Sequence, residues 1–205
     1  VVWRLPRQES VVVPGSHCPR CGHAIRWHDN LPVIGWLLLG GRCRDCGAGI
    51  SWRYPAVELA SALLWLSALS VQAGGGLPEL WRPWAGLVLV ALLLPLVLID
   101  IDHLWLPEPL CRWGVVLGLL FSAGAGWTVL SNHLVAAALA LVLLEGLSGM
   151  AERILGQPAL GLGDAKLAAL GGAWLGAAGI AVAMALATLA VSYTHLRAHE
   201  TSRNR

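Results

Sequence analysis

The chain has 205 residues, 57% of them hydrophobic and 13% charged, with a mean hydropathy of +0.66. Soluble domains carry about 25% charged residues, so this composition argues against a soluble globular protein, and a net charge of +2 is too small to point to a nucleic-acid partner. The charge gathers at the two ends and in short interruptions between long apolar runs, which is the pattern of an all-α polytopic protein of a lipid bilayer.

Residues 1–54 hold seven arginines against three acids, so the positive-inside tendency places this segment in the cytoplasm. The chain opens on Val1-Val2-Trp3-Arg4-Leu5-Pro6, with neither an initiator Met nor a signal peptide, and an upstream helix is expected. Four of its five cysteines form two Cys-x-x-Cys pairs, Cys18/Cys21 and Cys43/Cys46, with 21 residues between them. That is close to the spacing of zinc ribbons, in which each knuckle gives two thiolates to one tetrahedral ion. Gly22 and Gly47 each follow the second cysteine of a pair, where a tight knuckle needs permissive backbone. A segment this small has no adequate apolar core, so a structural zinc at Cys18, Cys21, Cys43 and Cys46 accounts for its folding. A redox dithiol pair and unliganded thiols are the alternatives. Cys111, inside an apolar run, reads as a small buried hydrophobe.

The membrane part follows. Pro55 suits the first turn of a helix, and apolar runs cover about 56–73, 84–99, 110–130 and 134–150, near the ~20 residues that cross a bilayer. Gly74-Gly75-Gly76-Leu77-Pro78 separates the first two, flanked by Trp81 and Trp84 as interfacial aromatics, and a turn around Ser131-Asn132 separates the last two. Gly124-Ala125-Gly126 reads as helix packing within its run. Counting from a cytoplasmic residue 54 puts 100–109 and 151–164 inside, and 74–83 and 131–133 outside. The last stretch, 165–191, is expected as two helical pieces broken near Gly171-Gly172 or Gly176. Residues 192–205 change character abruptly, and THLRAHETSRN resembles translated sequencing-adapter sequence, so this tail is left out of the functional reading. The organisation is thus a zinc-binding segment over 1–54, a membrane helical domain over 55–191 and a non-native tail over 192–205.

Two carboxylates fall at the cytoplasmic boundary of this scheme. Asp100 closes the second run in Ile99-Asp100-Ile101-Asp102, and Asp164 opens the last stretch in Gly161-Leu162-Gly163-Asp164. An acid at a hydrocarbon edge is a functional candidate. Two that meet share a proton and can activate water, one as general base and the other as acid. Asp164 taken alone also suits a helix cap. Asp102 and Glu108 read as interfacial loop acids, Glu145 as a packing or hydrogen-bonding residue, and His23, His103 and His133 have no matched ligand set. No Gly-x-Gly-x-x-Gly fingerprint follows a strand.

Together these motifs resemble the type IV prepilin peptidase family. The resemblance rests on Trp3-Arg4-Leu5-Pro6, the double Cys-x-x-Cys loop, Asn30-Leu31-Pro32, Tyr54-Pro55-Ala56-Val57-Glu58, Ile99-Asp100-x-Asp102 with Leu106-Pro107-Glu108, and Gly161-Leu162-Gly163-Asp164 with Lys166-Leu167. It implies a Gly-x-Gly-Asp aspartic endopeptidase of the bacterial inner membrane. Such an enzyme cleaves leaders from prepilin and pseudopilin substrates of type IV pilus and type II secretion systems, with Asp100 and Asp164 as the catalytic pair and both on the cytoplasmic side. It also implies S-adenosylmethionine-dependent N-methylation of the new N-terminus, with Glu58 open to either activity or neither. One more helix before Val1 and further membrane sequence after Val191 are implied as well. Glu108 stands where the family often has Asp. A non-enzymatic scaffold or transporter whose zinc ribbon docks a partner is the alternative reading.

Overall fold

A computed structural model of the chain describes residues 2–70, 81–156 and 161–203. Six α-helices appear among them: α1 Ile34–Leu38, α2 Arg53–Ser70, α3 Arg82–His103, α4 Glu108–Gly124, α5 Trp127–Leu155 and α6 Leu162–Arg203. The described residues contain no strand, only the isolated bridges His17 to Ala24 and Arg42 to Gly49. Three helices are long and apolar enough to cross a membrane, over Pro83–His103, Trp127–Ile154 and Gly163–Tyr193. At 1.5 Å per residue α2 and α4 reach about 26 Å, somewhat short of a ~30 Å hydrocarbon core. The Gly74–Pro78 break expected from the sequence lies outside the described residues.

The chain divides into two units. The first holds the N-terminal segment with α1, α2 and α3. Within it α2 and α3 approach closely at Gly86, where a Cβ would stand 3.0 Å from the Cβ of Ala68. Their adjoining ends are joined by Arg53, whose guanidinium donates two bonds of 2.8 and 2.7 Å to the Asp102 carboxylate. Asp102 is therefore a helical residue in a forked ion pair and not a loop acid.

The second unit holds α4, α5 and α6. One stripe of α4 is small and buried, Cys111, Gly114, Gly118 and Ser122, at the spacing that lets helix backbones approach. Trp174 of α6 fills the groove this leaves: its Nε1 donates to Gly114 O at 2.9 Å, and a Cβ on Gly118 would lie 2.8 Å from its ring. On the other flank Gly172 lies against α5, and a Cβ there would stand 2.7 Å from the backbone of Ala136 and Ala137. The buried residues Ala165, Ala168, Ala169, Leu170 and Ala173 complete this seam.

Two expectations about helix ends change. The turn between the third and fourth runs lies at Ala125-Gly126, not at Ser131-Asn132. Gly126 takes φ +109°, which only glycine adopts without strain, so Gly124-Ala125-Gly126 ends a helix instead of packing inside one. Ser131 and Asn132 lie within α5, where the Ser131 hydroxyl donates to Thr128 O at 3.1 Å. Apolar counting misses this because each residue finds its partner without a turn: Ser131 bonds back within the helix, and Asn132 Oδ1 accepts from Ala177 N–H of α6 at 2.9 Å. The break in the last stretch is at Gly176, with φ 65° and ψ −175°.

The Gly172 contact generates a stability test. Gly172→Leu drives a side chain into the α5 backbone and is expected to cost about 3 kcal/mol or more, beyond the usual range for overpacking because the obstacle is main chain. Gly146→Ala, at an exposed site with nothing within 4 Å of the new methyl, leaves stability unchanged or slightly raised. Thermal unfolding of both variants in detergent compares them.

Candidate functional site

The cysteine centre is built from two copies of one local turn. In the first, Cys18 N–H donates to His23 O at 2.9 Å and Gly22 N–H to Cys18 O at 2.9 Å. In the second, Cys43 N–H donates to Ala48 O at 2.8 Å and Gly47 N–H to Cys43 O at 3.0 Å. Gly22 and Gly47 sit at φ +70° and +69°, the left-handed conformation that closes each knuckle. The two knuckles bring all four thiol sulfurs within 4.8 Å of one another. Cys18 and Cys46 are 3.8 Å apart and none of the four is in a disulfide.

Four sulfurs about 2.3 Å from one tetrahedral ion lie about 3.8 Å from each other, so the spacing fits a single thiolate-bound metal. The electrostatics agree. The Cys21 and Arg20 N–H groups pull Cys18 down to about 6. At Cys21 the His23 N–H favours the thiolate, but burial and the neighbouring Cys18, Cys46 and Cys43 sulfurs override it and push the thiol up to about 11. Crowded sulfurs cannot all carry charge together unless a cation joins them. Around the centre, Asp29 is held below the usual carboxylate range by Arg44, which donates to it from Nε at 2.7 Å. Trp36 Nε1 donates to Ile50 O at 3.0 Å. Both contacts tie the α1 region to the second knuckle.

The acids sort into two kinds. Asp102 is paired with Arg53 as described, and Glu108, the first residue of α4, lies 3.2 Å from the Nζ of Lys166 on α6. Asp100, in the last turn of α3, and Asp164, in the first turn of α6, are exposed. Neither carboxylate carries a hydrogen bond or ion pair among the described residues. Asp100 belongs to the first unit and Asp164 to the second. The glycines beside Asp164 are there for space: a Cβ on Gly161 would stand 3.5 Å from the Asp164 Oδ2, and one on Gly163 would stand 3.1 Å from the Leu106 side chain.

Glu58 accepts a 2.7 Å bond from Val33 N–H, which ties α2 to the residue entering α1. It also lines two clefts of the first unit, of 690 Å³ and 840 Å³. Glu145 is exposed on α5. His133 is not isolated, since its Nδ1 lies 2.9 Å from Ser122 Oγ and 2.9 Å from Ala173 O. The Arg53–Asp102 and Lys166–Glu108 pairs and the His133 contacts escaped sequence reading. Their only signal was an isolated charge or polar residue at the margin of an apolar run.

Comparison with known proteins bears on the same residues. Residues 1–71 match the bacterial peptidase A24 N-terminal domain, and residues 87–195 match the type IV leader peptidase family. A prepilin leader peptidase/N-methyltransferase of Klebsiella pneumoniae is 40% identical over 182 residues, covering 86% of this chain and 78% of that protein. The type 4 prepilin-like proteins leader peptide-processing enzyme of Escherichia coli O78:H11 is 36% identical, covering 86% and 71%. A prepilin leader peptidase/N-methyltransferase of Myxococcus xanthus is 39% identical over 85% of this chain, which spans 51% of that protein's length. The chain thus covers about half to three-fifths of several curated relatives. No solved structure matches it. With membrane-capable helices, a clustered set of four cysteines and a family match that contains both unpaired aspartates, the chain belongs to the type IV leader peptidase family.

Proposed function

We propose that this protein is a membrane aspartic endopeptidase that removes the leader from prepilin-like substrates at the cytoplasmic face of the inner membrane, with Asp100 and Asp164 as its catalytic pair. The observation that carries this reading is the sorting of the acids. Of Asp100, Asp102, Glu108 and Asp164, all within the span that matches the family, Asp102 and Glu108 are neutralised by Arg53 and Lys166, and the two without a partner are the two that the resemblance takes as the catalytic pair. Family membership also favours this reading over a non-enzymatic scaffold or transporter.

In the proposed reaction the two carboxylates hold one proton between them. The ionised one takes a proton from water, which attacks the scissile carbonyl. The protonated one stabilises the developing oxyanion and later supplies the proton to the departing amine. The absence of a side chain at Gly161 keeps the Asp164 carboxylate uncovered on that side, and its absence at Gly163 lets Leu106 pack beside that glycine. Asp102 is turned by about 200° from Asp100 along α3, and its bond to Arg53 gives it a structural role.

The cysteine centre would hold one structural zinc through Cys18, Cys21, Cys43 and Cys46. It folds the segment and takes no part in hydrolysis. N-methylation of the new N-terminus by S-adenosylmethionine is proposed from the relatives' names.

Three outcomes test this reading. Asp100→Asn and Asp164→Asn are each expected to abolish cleavage of a prepilin-like peptide by full-length protein, with the double variant no worse than either single one, because groups sharing one proton fail together. Asp102→Asn retains most cleavage while lowering thermal stability. Full cleavage by Asp164→Asn would reduce that residue to a helix cap.

For the metal, purified protein is expected to contain one zinc per chain, with the four thiols alkylated only after chelation. Cys43→Ser loosens residues 1–54 to protease while the membrane helices stay folded. Metal-free protein with freely alkylated thiols would overturn the zinc assignment.

Sidedness is read by impermeant labelling of single reporter sites. Position 156 is expected to react from the cytoplasm and position 125 from the opposite side, since the two turns lie at opposite ends of α5. Labelling of position 156 only from outside would remove Asp164 from the cytoplasmic face.

A further inference from the structure

The break in α6 leaves a main-chain hydrogen bond unmade in the middle of a membrane helix. In a continuous helix Ala177 N–H would donate to Ala173 O, four residues earlier. Gly176, at φ 65°, turns the chain so that this bond does not form. Both of its halves are satisfied by consecutive residues of α5. Ala177 N–H donates to Asn132 Oδ1 at 2.9 Å, and Ala173 O is met by His133 Nδ1 at 2.9 Å.

The proton on His133 follows from its neighbours. Ser122 of α4 gives its hydroxyl proton to Gly118 O at 2.8 Å, so its oxygen can only accept from the imidazole, 2.9 Å away. Ala173 O is an acceptor as well. Nδ1 therefore carries the proton and shares it between α4 and α6. The ring edge fills the space beside Gly176, where a Cβ would stand 3.0 Å from His133 Nε2 and 3.2 Å from Asn132 Oδ1. Gly176 thus provides both the backbone conformation and the room for the two side chains.

Without Asn132 and His133 the break would leave these two peptide groups unpaired, which is expensive in hydrocarbon. The arm of α6 before the break is anchored at Ala173, Trp174 and Gly172 and carries Asp164 at its free end. Nine residues separate Ala173 from Asp164, about 14 Å along the axis. A rotation of this arm at the break would swing the carboxylate.

We propose that Asn132 and His133 are positioning residues for Asp164: they replace the missing hydrogen bond of α6 and so fix the direction and rotation of the arm that presents the catalytic acid. This inference rests on the peptidase reading of Asp164, and its test separates the two.

Full-length protein in nanodiscs, with spin labels on unnatural residues at the exposed positions 152 and 164, reports the distance between the ends of α5 and α6. His133→Ala and Asn132→Ala are each expected to broaden or shift that distance, and His133→Asn to restore it, because its amide N–H stands where Nδ1–H stood. In unlabelled protein with a prepilin-like peptide, His133→Ala is expected to lower kcat about tenfold or more, since small misplacements of a reacting group are costly. KM should stay within about twofold, because substrate binding lies elsewhere, and His133→Asn should recover most of kcat.

An unchanged 152–164 distance overturns the inference whatever the activity. So does a changed distance with kcat intact, or an equal loss with His133→Asn. Failure of the unmodified protein to cleave would sink the peptidase reading instead, and the distance would still decide whether the clamp holds the arm. If His133→Ala does not accumulate in membranes, Asn132→Ala removes the other half of the splice and is read in the same way.

Discussion

A peptide group in hydrocarbon has no water to bond, and most of this structure follows from that constraint. It requires helices through the apolar runs. It also requires each polar side chain there to find a local acceptor, as Ser122 does on Gly118 O and Thr188 on Met184 O. Where α6 departs from regular geometry at Gly176, the same constraint brings Asn132 and His133 into the gap. Close packing then becomes possible because small residues line the seam. Gly114 and Gly118 admit Trp174, and Gly172 meets the α5 backbone directly.

The N-terminal segment answers to a different solvent and a different force. Its large apolar side chains are mostly exposed, Trp27 at 81% and Trp52 at 72% among them, so burial cannot organise it. Order comes from repeated hydrogen-bonded knuckles and the convergence of four sulfurs. Forked contacts such as Arg44 with Asp29 add local stiffness. Four converging sulfurs of this kind are what the proposed zinc would need to stand in for a core.

Charge at the helix ends connects packing to chemistry. Arg53 with Asp102 joins α2 to α3, and Lys166 with Glu108 joins α6 to α4. Glu108, the first residue of α4, reaches the Lys166 Nζ at 3.2 Å. Because these acids are engaged in holding helices, the unpaired Asp100 and Asp164 stand apart from them, a distinction invisible in a linear motif where Asp100 and Asp102 look alike.

Composition and spacing alone determined the membrane class, the set of four cysteines that cluster with their two glycine turns, and the two candidate aspartates. Each of these is a local property: apolar run length, knuckle geometry, and a carboxylate at the edge of a run. The weakening of the last helix by clustered glycine was also legible, but which glycine breaks was not. Gly172 stays helical with the α5 backbone packed against it, Gly171 meets Ile180 of α6 itself, and the break falls at Gly176, where Asn132 and His133 take up the freed backbone groups. The turn at Gly126 and the helical fate of Ser131 and Asn132 were hidden for the same reason. Partners for Asp102, Glu108 and His133 lie 11 to 58 residues away in sequence and on other helices, and a polar group's role depends on what it meets. Only the tertiary structure brings those groups together, so only it separates the acids that hold helices from Asp100 and Asp164, which carry no partner among the described residues.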